Sequence, residues 1–121
     1  MQATYELQFL FSLFFTVAIE TTVLWLLLRR VLKKSSKSIP FSLVLFAGFV
    51  ASFSTLPYLW FVFPAFFAQT TYIALAEGFA VAVEAVEYFF ILKTPAKQSF
   101  VISLACNAAS FCIGWIVFSA V

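Results

Sequence analysis

The amino-acid sequence predicts an all-α membrane protein, with four transmembrane helices packed into one bundle. Of its 121 residues, 64% are hydrophobic and only 10% are charged. A soluble domain is nearer half apolar and a quarter charged. One small core cannot enclose so much apolar surface, so the excess is expected to face lipid. Four apolar segments also have about the twenty residues that a helix needs to cross a bilayer.

The four predicted spans make the chain a single integral membrane domain over residues 1–121. They cover residues 7–28, 41–63, 70–92 and 98–121. Each is expected to be α-helical, because lipid offers no partner to an unpaired backbone N–H or C=O group. Pro57 is expected to kink the second helix near one end. The first segment is interpreted as a retained span, because it lacks the basic start and short apolar run of a signal peptide.

The basic residues are confined to two of the three connections between the predicted spans. The first connection contains Arg29, Arg30, Lys33, Lys34 and Lys37, and the third contains Lys93 and Lys97. The second connection, residues 64–69, contains no charge. Because loops rich in lysine and arginine stay in the cytoplasm, the first and third connections are predicted to lie there. Both termini are then predicted to lie outside the cytoplasm.

The two halves of the chain resemble each other, as in a parallel duplication of a two-helix unit. The matching positions are Phe15, Val17, Ala18, Glu20 and Leu28 with Phe79, Val81, Ala82, Glu84 and Leu92, and Ala47, Ala51, Ser52 and Phe53 with Ala105, Ala109, Ser110 and Phe111. Matches among Phe, Ala and Val are common by chance. The inference therefore depends mainly on the paired glutamates, and duplication and chance are both left open.

Glutamates inside the predicted spans are the first indication of function. A charged side chain at the centre of a membrane helix costs on the order of 3 kcal/mol, so such residues are usually functional. The predicted ion- or proton-binding residues are Glu20, Glu84, Glu77, Glu87 and Asn107. The alternative is a structural role, and Glu87 lies near enough to the third connection to reach Lys93 or Lys97.

Polar residues also recur at helical spacing in the predicted spans. Ser103, Asn107 and Ser110 form a stripe along the fourth span, and Ser52 lies on a similar stripe of the second. These stripes predict a polar bundle interior, in which Ser52, Ser103 and Ser110 support the glutamates. The alternative is that their hydrogen bonds only hold helices together, at roughly 0.6–2 kcal/mol each.

The third span is predicted to have contrasting faces. Glu77 and Glu84 are seven residues apart and share one face, whereas Tyr72 is among the bulky residues of the opposite, lipid-facing side. A further row of small residues is expected to let another helix approach closely. This row consists of Ala74, Gly78 and Ala82.

Glu20, Glu84 and Asn107 are predicted to form one polar layer. Counted from the centre of each span at a rise of about 1.5 Å per residue, all three lie roughly 4 Å to the cytoplasmic side of the midplane. Two acids in a medium of low dielectric constant cannot both ionise cheaply. At least one of the carboxyl groups is therefore expected to be protonated, or a cation to lie between them.

These residues favour a small transporter or channel for protons or for a hard cation such as Na⁺, Mg²⁺ or Ca²⁺, which prefers oxygen ligands. A pathway is expected to need a homo-oligomer, because four helices enclose little volume. Two alternatives remain. One is a non-catalytic subunit that packs against a membrane-protein partner in a larger complex, and the other is a lipid-modifying membrane enzyme.

Other functions are disfavoured by what the sequence lacks. It has no histidine, glycine-rich phosphate loop or nucleophile elbow, so no enzymatic activity and no cofactor are predicted. Cys106 and Cys112 have no metal-ligand spacing, and on a helix they point in different directions. One short basic loop is too little for a nucleic-acid-binding surface. The expected surroundings of the chain are therefore the lipid bilayer.

Overall fold

The fold is all-helical over the part of the chain that the structure describes. The computed structural model describes residues 4–63 and 69–120, without the side chains of residues 69, 70 and 118–120. Helix accounts for 88% of the described residues, which contain no strand. The helices are α1 (Tyr5–Leu26), α2 (Phe41–Pro57), α3 (Gln69–Leu92) and α4 (Ala96–Ala120). Wider π-helical turns extend α1 over Leu27–Val31 and α2 over Tyr58–Val62.

The helices form a ring in which each packs against two neighbours. Helices α1 and α3 each pack between α2 and α4, so α1 and α3 face each other diagonally across the bundle. We call the end with the first and third connections the basic end. The opposite end, which we call the aromatic end, is marked by Tyr5, Trp60, Tyr72 and Trp115. The ring places Glu20 of α1 and Glu84 of α3, which are both buried, in the same central region.

Three helical stretches are long and apolar enough to cross a membrane. They are Tyr5–Val31, Phe41–Val62 and Ala96–Val117. Helix α3 is 24 residues long, but it contains three glutamates and is not among them. Large apolar side chains such as Phe14 and Phe90 are exposed on the outside of the bundle. These features are those of a membrane protein, and the crossing by α3 stays a prediction.

The half of the bundle next to the basic end is filled by an apolar core. Its central residues, all buried, are Leu24, Leu28, Ile39, Val44, Ala47, Ala51, Tyr88, Leu92, Ile102 and Cys106. They come from all four helices and from the first connection. Because protein interiors pack nearly as densely as organic crystals, this core closes the bundle interior toward the basic end.

Arg29 holds the first connection against the end of α1. Its guanidinium donates hydrogen bonds to the backbone oxygens of Ile39, at 2.6 Å, and of Lys34, at 3.5 Å. Lys33, where the chain leaves α1, has a φ of 55°, a left-handed conformation that is unfavourable for a residue with a Cβ. Arg29, one of the basic residues that predict the orientation in the membrane, therefore also fixes the conformation of the first connection.

Tyrosines from two neighbouring helices hold the extension of α2 beyond Pro57. Proline has no backbone N–H, and the wider turn that follows it leaves carbonyl oxygens for other donors. The hydroxyl of Tyr5 donates to the oxygen of Trp60, and the hydroxyl of Tyr72 donates to that of Leu59. The predicted lipid-facing position of Tyr72 is therefore wrong, because its hydroxyl needs an acceptor that lipid chains do not offer.

Helix α3 packs through a row of residues spaced by four positions. The buried residues of this row are Ala76, Ala80, Glu84, Tyr88 and Leu92. The predicted row of small residues lies on an exposed face instead, and no atom comes within 4 Å of a Cβ built on Gly78. Close approach of another described helix therefore does not occur at the small-residue row, because α2 and α4 pack against the first row.

Candidate functional site

The structure brings Glu84 and Asn107 together near the centre of the bundle. Glu84 of α3 accepts hydrogen bonds from Thr55 Oγ1 of α2 at 3.0 Å and from Asn107 Nδ2 of α4 at 3.2 Å. The hydroxyl of Tyr88, one turn further along α3, lies 3.5 Å from the same carboxyl group. Only 1% of Glu84 is exposed, so three helices together surround a carboxyl group that is hidden from the outside.

Glu20 of α1 meets Glu84 across the bundle. The two carboxyl groups lie within hydrogen-bonding range of each other, and Glu20 Oε2 accepts a hydrogen bond from Ser110 Oγ at 3.0 Å. Glu20 is only 2% exposed, yet no N–H or O–H group of the described residues donates to its Oε1. Buried polar atoms are normally satisfied, so this oxygen indicates a place for a proton shared with Glu84, for a further donor or for a cation.

Asn107 and Ser103 form a chain of hydrogen bonds that links the carboxyl pair to the contact between α3 and α4. Asn107 Nδ2 also donates to the backbone oxygen of Ser103 at 2.9 Å, and Ser103 Oγ donates to that of Val81 at 2.7 Å. The polar layer of Glu20, Glu84 and Asn107 that helix spacing predicts is therefore present. Its role in binding an ion stays a prediction.

Three further residues of the predicted site lie outside this layer. Ser52 is fully buried, but its Oγ has no partner among the described residues, and Thr55, about one turn further along α2, reaches the site instead. Glu77 is half-buried and lines a cavity, without a hydrogen-bond donor in the described part of the chain. Glu87 accepts hydrogen bonds from Ser54 Oγ, at 2.8 and 2.9 Å, and not from a lysine of the third connection.

A cavity extends from the carboxyl pair to the aromatic end. Its volume is about 300 Å³, and all four helices contribute to its wall. Glu20, Glu84 and Asn107 line it near the centre of the bundle, and Trp60 and Trp115 line it at the aromatic end. Beyond the carboxyl pair lies the apolar core of the basic half. The pair therefore forms the inner end of a cavity that closes toward the basic end.

No basic side chain balances the two central carboxyl groups, because all seven lysines and arginines lie at the basic end, in the two connections or in the helix turns next to them. Two carboxylates in contact repel each other strongly when little water separates them. Ser110, Thr55 and Asn107 donate hydrogen bonds but add no charge. A shared proton or a bound monovalent cation would remove one of the two negative charges, and a divalent cation, or a proton together with a monovalent cation, would balance both.

Tyr88 and the aromatic wall of the cavity are parts of the site that the sequence pattern did not predict. Tyr88 is fully buried, with its hydroxyl toward Glu84. Its spacing of four residues from Glu84 was the available signal, because such side chains lie on the same face of a helix. Trp60 and Trp115 line the cavity, although tryptophans near helix ends are more typical of membrane interfaces.

The chemistry of the side chains in this site indicates what it can bind. They combine a buried carboxyl pair, neutral hydrogen-bond donors from two helices and a cavity with aromatic walls. Such a combination can bind positive charge, because it offers unbalanced carboxyl groups and aromatic faces in a partly enclosed space. Comparison of the chain with models of protein families, with curated proteins and with solved structures found no match.

Proposed function

We propose that this chain is an integral membrane carrier for a cation or for protons, with Glu20 and Glu84 as its binding groups. The observation that supports this most is the buried contact of two carboxyl groups with no basic residue beside them. A proton or a cation supplies the positive charge that this contact lacks. The proposed role is binding and transport rather than catalysis, without a cofactor.

The packing supports a membrane crossing by α3 as well as by the other helices. Its 24 residues span about 36 Å at a rise of 1.5 Å per residue, which exceeds the thickness of a hydrocarbon core. Glu84 faces the interior and Glu77 lines the cavity, whereas Phe90 is exposed on the outside. Acids in membrane helices face protein or water in this way. We therefore propose four transmembrane helices in one membrane domain.

The closed core favours a carrier over an open channel. The cavity connects the aromatic end with the carboxyl pair, whereas buried apolar residues such as Leu24, Leu28 and Tyr88 fill the bundle beyond it. Conduction by a channel requires a continuous path past weak binding sites. A carrier requires only a central site that is reached from one side at a time. The cavity and the apolar core of the described residues fit the second requirement better than the first, which supports the carrier proposal.

We also propose that the chain is a parallel duplication of a two-helix unit. Glu20 on α1 and Glu84 on α3 occupy diagonally opposite places in the ring. Each accepts a hydroxyl hydrogen bond from the other half of the chain, Glu20 from Ser110 on α4 and Glu84 from Thr55 on α2. Two copies of one helical hairpin related by a central axis give such an exchange between the halves, although the donor to Glu84 is Thr55 and not Ser52, the residue that matches Ser110.

A second function, as a subunit that packs against a membrane partner, is supported by the exposed row of small residues on α3. Ala74, Gly78 and Ala82 are exposed together, and small residues at this spacing allow membrane helices to approach closely. The partner helix would come from a second copy of the chain or from another protein. In a purely structural subunit the two central acids have no need to exchange protons. A measurement of proton release on cation binding therefore distinguishes the two functions.

The orientation of the bundle is a testable part of this proposal. We expect both termini and the aromatic end outside the cytoplasm, because the basic connections resist transfer across the membrane. In a chain without Cys106 and Cys112, a cysteine replacing Ser36 should be protected from a membrane-impermeant thiol reagent in intact cells. A cysteine replacing Gln69 should react. Labelling at Ser36 with protection at Gln69 would show the opposite orientation.

Cation binding at the carboxyl pair should displace a proton. We expect up to about one proton per chain to be released when the protein binds its cation, because the proton and the cation compete for the same carboxyl oxygens. The protein would be placed in nanodiscs of neutral lipid, and a pH-sensitive dye would follow titrations with Na⁺, Mg²⁺, Ca²⁺ and ethylammonium. Saturable release with any one of them supports the proposal, and empty nanodiscs are the blank. The absence of release with all four would overturn it.

A further inference from the structure

We propose that the cation bound by Glu20 and Glu84 is the protonated amine of an organic molecule with an apolar body, rather than a bare metal ion. This inference rests on the proposed function, because it requires the carboxyl pair to bind a cation. It adds the chemical class of the cargo. Three features of the cavity support it: its volume, its aromatic wall, and an unpartnered carboxyl oxygen.

The cavity has the volume of a site for an organic ligand. At about 300 Å³, it falls at the lower end of the range for pockets that bind small molecules. A bare metal ion instead needs several oxygen ligands at little more than 2 Å. The described residues contain no group of three or more His, Cys, Asp or Glu side chains that could hold a metal ion.

The wall of the cavity suits the apolar body of such a cation. Aromatic rings from all four helices line it, and these rings are Phe15, Trp60, Tyr72, Phe111 and Trp115. Aromatic faces attract cations and also offer apolar contact area. Ile73, Phe111 and Trp115 at the same time line an apolar groove on the outside of α3 and α4. The cavity wall is therefore continuous with the apolar surface of the bundle.

The inner end of the cavity suits an ammonium group. Glu20 Oε1 is buried beside the cavity and has no N–H or O–H donor from the described residues. An alkylammonium group has three N–H donors and a positive charge, so it can satisfy this oxygen and offset one negative charge of the pair. An amine with its nitrogen at Glu20 and Glu84 would place its apolar part between Phe15, Phe111 and the other rings.

A matched pair of probes tests the charge requirement. Tritiated phenylbutylamine, which is protonated at neutral pH, would be equilibrated with the protein in neutral-lipid nanodiscs and with empty nanodiscs. Unlabelled phenylbutylamine and phenylbutanol, which have the same apolar body, would then compete with it. We expect saturable binding of one amine per chain, and at least about tenfold weaker competition by the alcohol. Equal competition by the alcohol would overturn the inference, because the cavity would then select only apolar surface.

Two variants locate the binding site. Glu20→Gln should weaken amine binding at least about tenfold, whereas Glu87→Gln should leave it unchanged, because Glu87 lies outside the cavity. Equal affinities of the two variants for the amine would contradict the proposed binding site. If Glu20→Gln fails to fold, the comparison of amine with alcohol still tests the inference, because it uses the unmodified protein. Release of protons by Na⁺, Mg²⁺ or Ca²⁺ without amine binding would overturn the inference and leave the proposed function standing. No response to any cation would end both.

Discussion

Replacing Glu84 with glutamine is expected to abolish cation-dependent proton release while the bundle stays folded. The glutamine carbonyl can accept the hydrogen bond from Asn107, and its amide can donate to the hydroxyl of Thr55, which is also an acceptor. A second amide hydrogen can reach the carboxylate of Glu20. The variant therefore keeps its hydrogen bonds, but it loses the proton that one carboxyl group holds for the other.

The measurement is the same proton-release titration, with thermal unfolding in detergent to show that each variant is folded. Glu20→Gln should behave like Glu84→Gln, since either change leaves a single carboxyl group at the site. Glu87→Gln is the matched control, because Glu87 lies on α3 but, among the described residues, accepts a hydrogen bond from Ser54 alone and does not line the cavity. If both Glu20→Gln and Glu84→Gln kept the full cation-dependent proton release, the two acids would be structural. The function as a subunit of a larger complex would then explain the site better.

Replacing Gly48 with alanine is expected to destabilise the bundle by about 1–3 kcal/mol, because it overpacks the contact between α1 and α2. A Cβ on Gly48 would lie 2.2 Å from Thr21 Oγ1, 3.1 Å from Thr21 Cβ and 3.3 Å from Thr21 Cα. Threonine is branched at Cβ and changes rotamer with difficulty, so the two helices would have to move apart. The loss should appear as a lower midpoint of thermal unfolding in detergent.

Two controls make this prediction specific. Gly78→Ala should change stability little or raise it slightly, because nothing lies within 4 Å of the new Cβ and alanine favours helix more than glycine. Thr21→Ala combined with Gly48→Ala should recover much of the loss, since the nearest atom is removed and Thr21 Oγ1 has no hydrogen-bond partner among the described residues. Equal effects of Gly48→Ala and Gly78→Ala would count against a close helix contact at Gly48.

The helical character of the chain follows from local properties of the sequence. The length of each apolar run predicts a helix of that length, and the observed helices α1 to α4 overlap the four predicted spans. The common depth of Glu20, Glu84 and Asn107 was also predictable, because every residue advances a helix by the same rise. The position of a residue along the bundle axis therefore follows from its own helix alone.

The direction of each side chain around its helix was less predictable. Tyr72 is half-buried and lines the cavity instead of the outer face, because Leu59, beyond Pro57, offers its hydroxyl a carbonyl oxygen. Ser52 was expected at the site, but Thr55 of the same helix donates to Glu84. In both cases the outcome depends on how a neighbouring helix is rotated, which no property of the single segment records.

By itself, the sequence determined the helical and apolar nature of the chain, the four helices, and the presence of acids at one depth. Only the tertiary structure decided that Glu20 and Glu84 touch, that their cavity extends to the aromatic end, and that the small row on α3 stays exposed. The physical reason is that periodicity sets the rise and faces of one helix. The spacing and rotation between helices depend instead on how their side chains pack, as Gly48 does against Thr21.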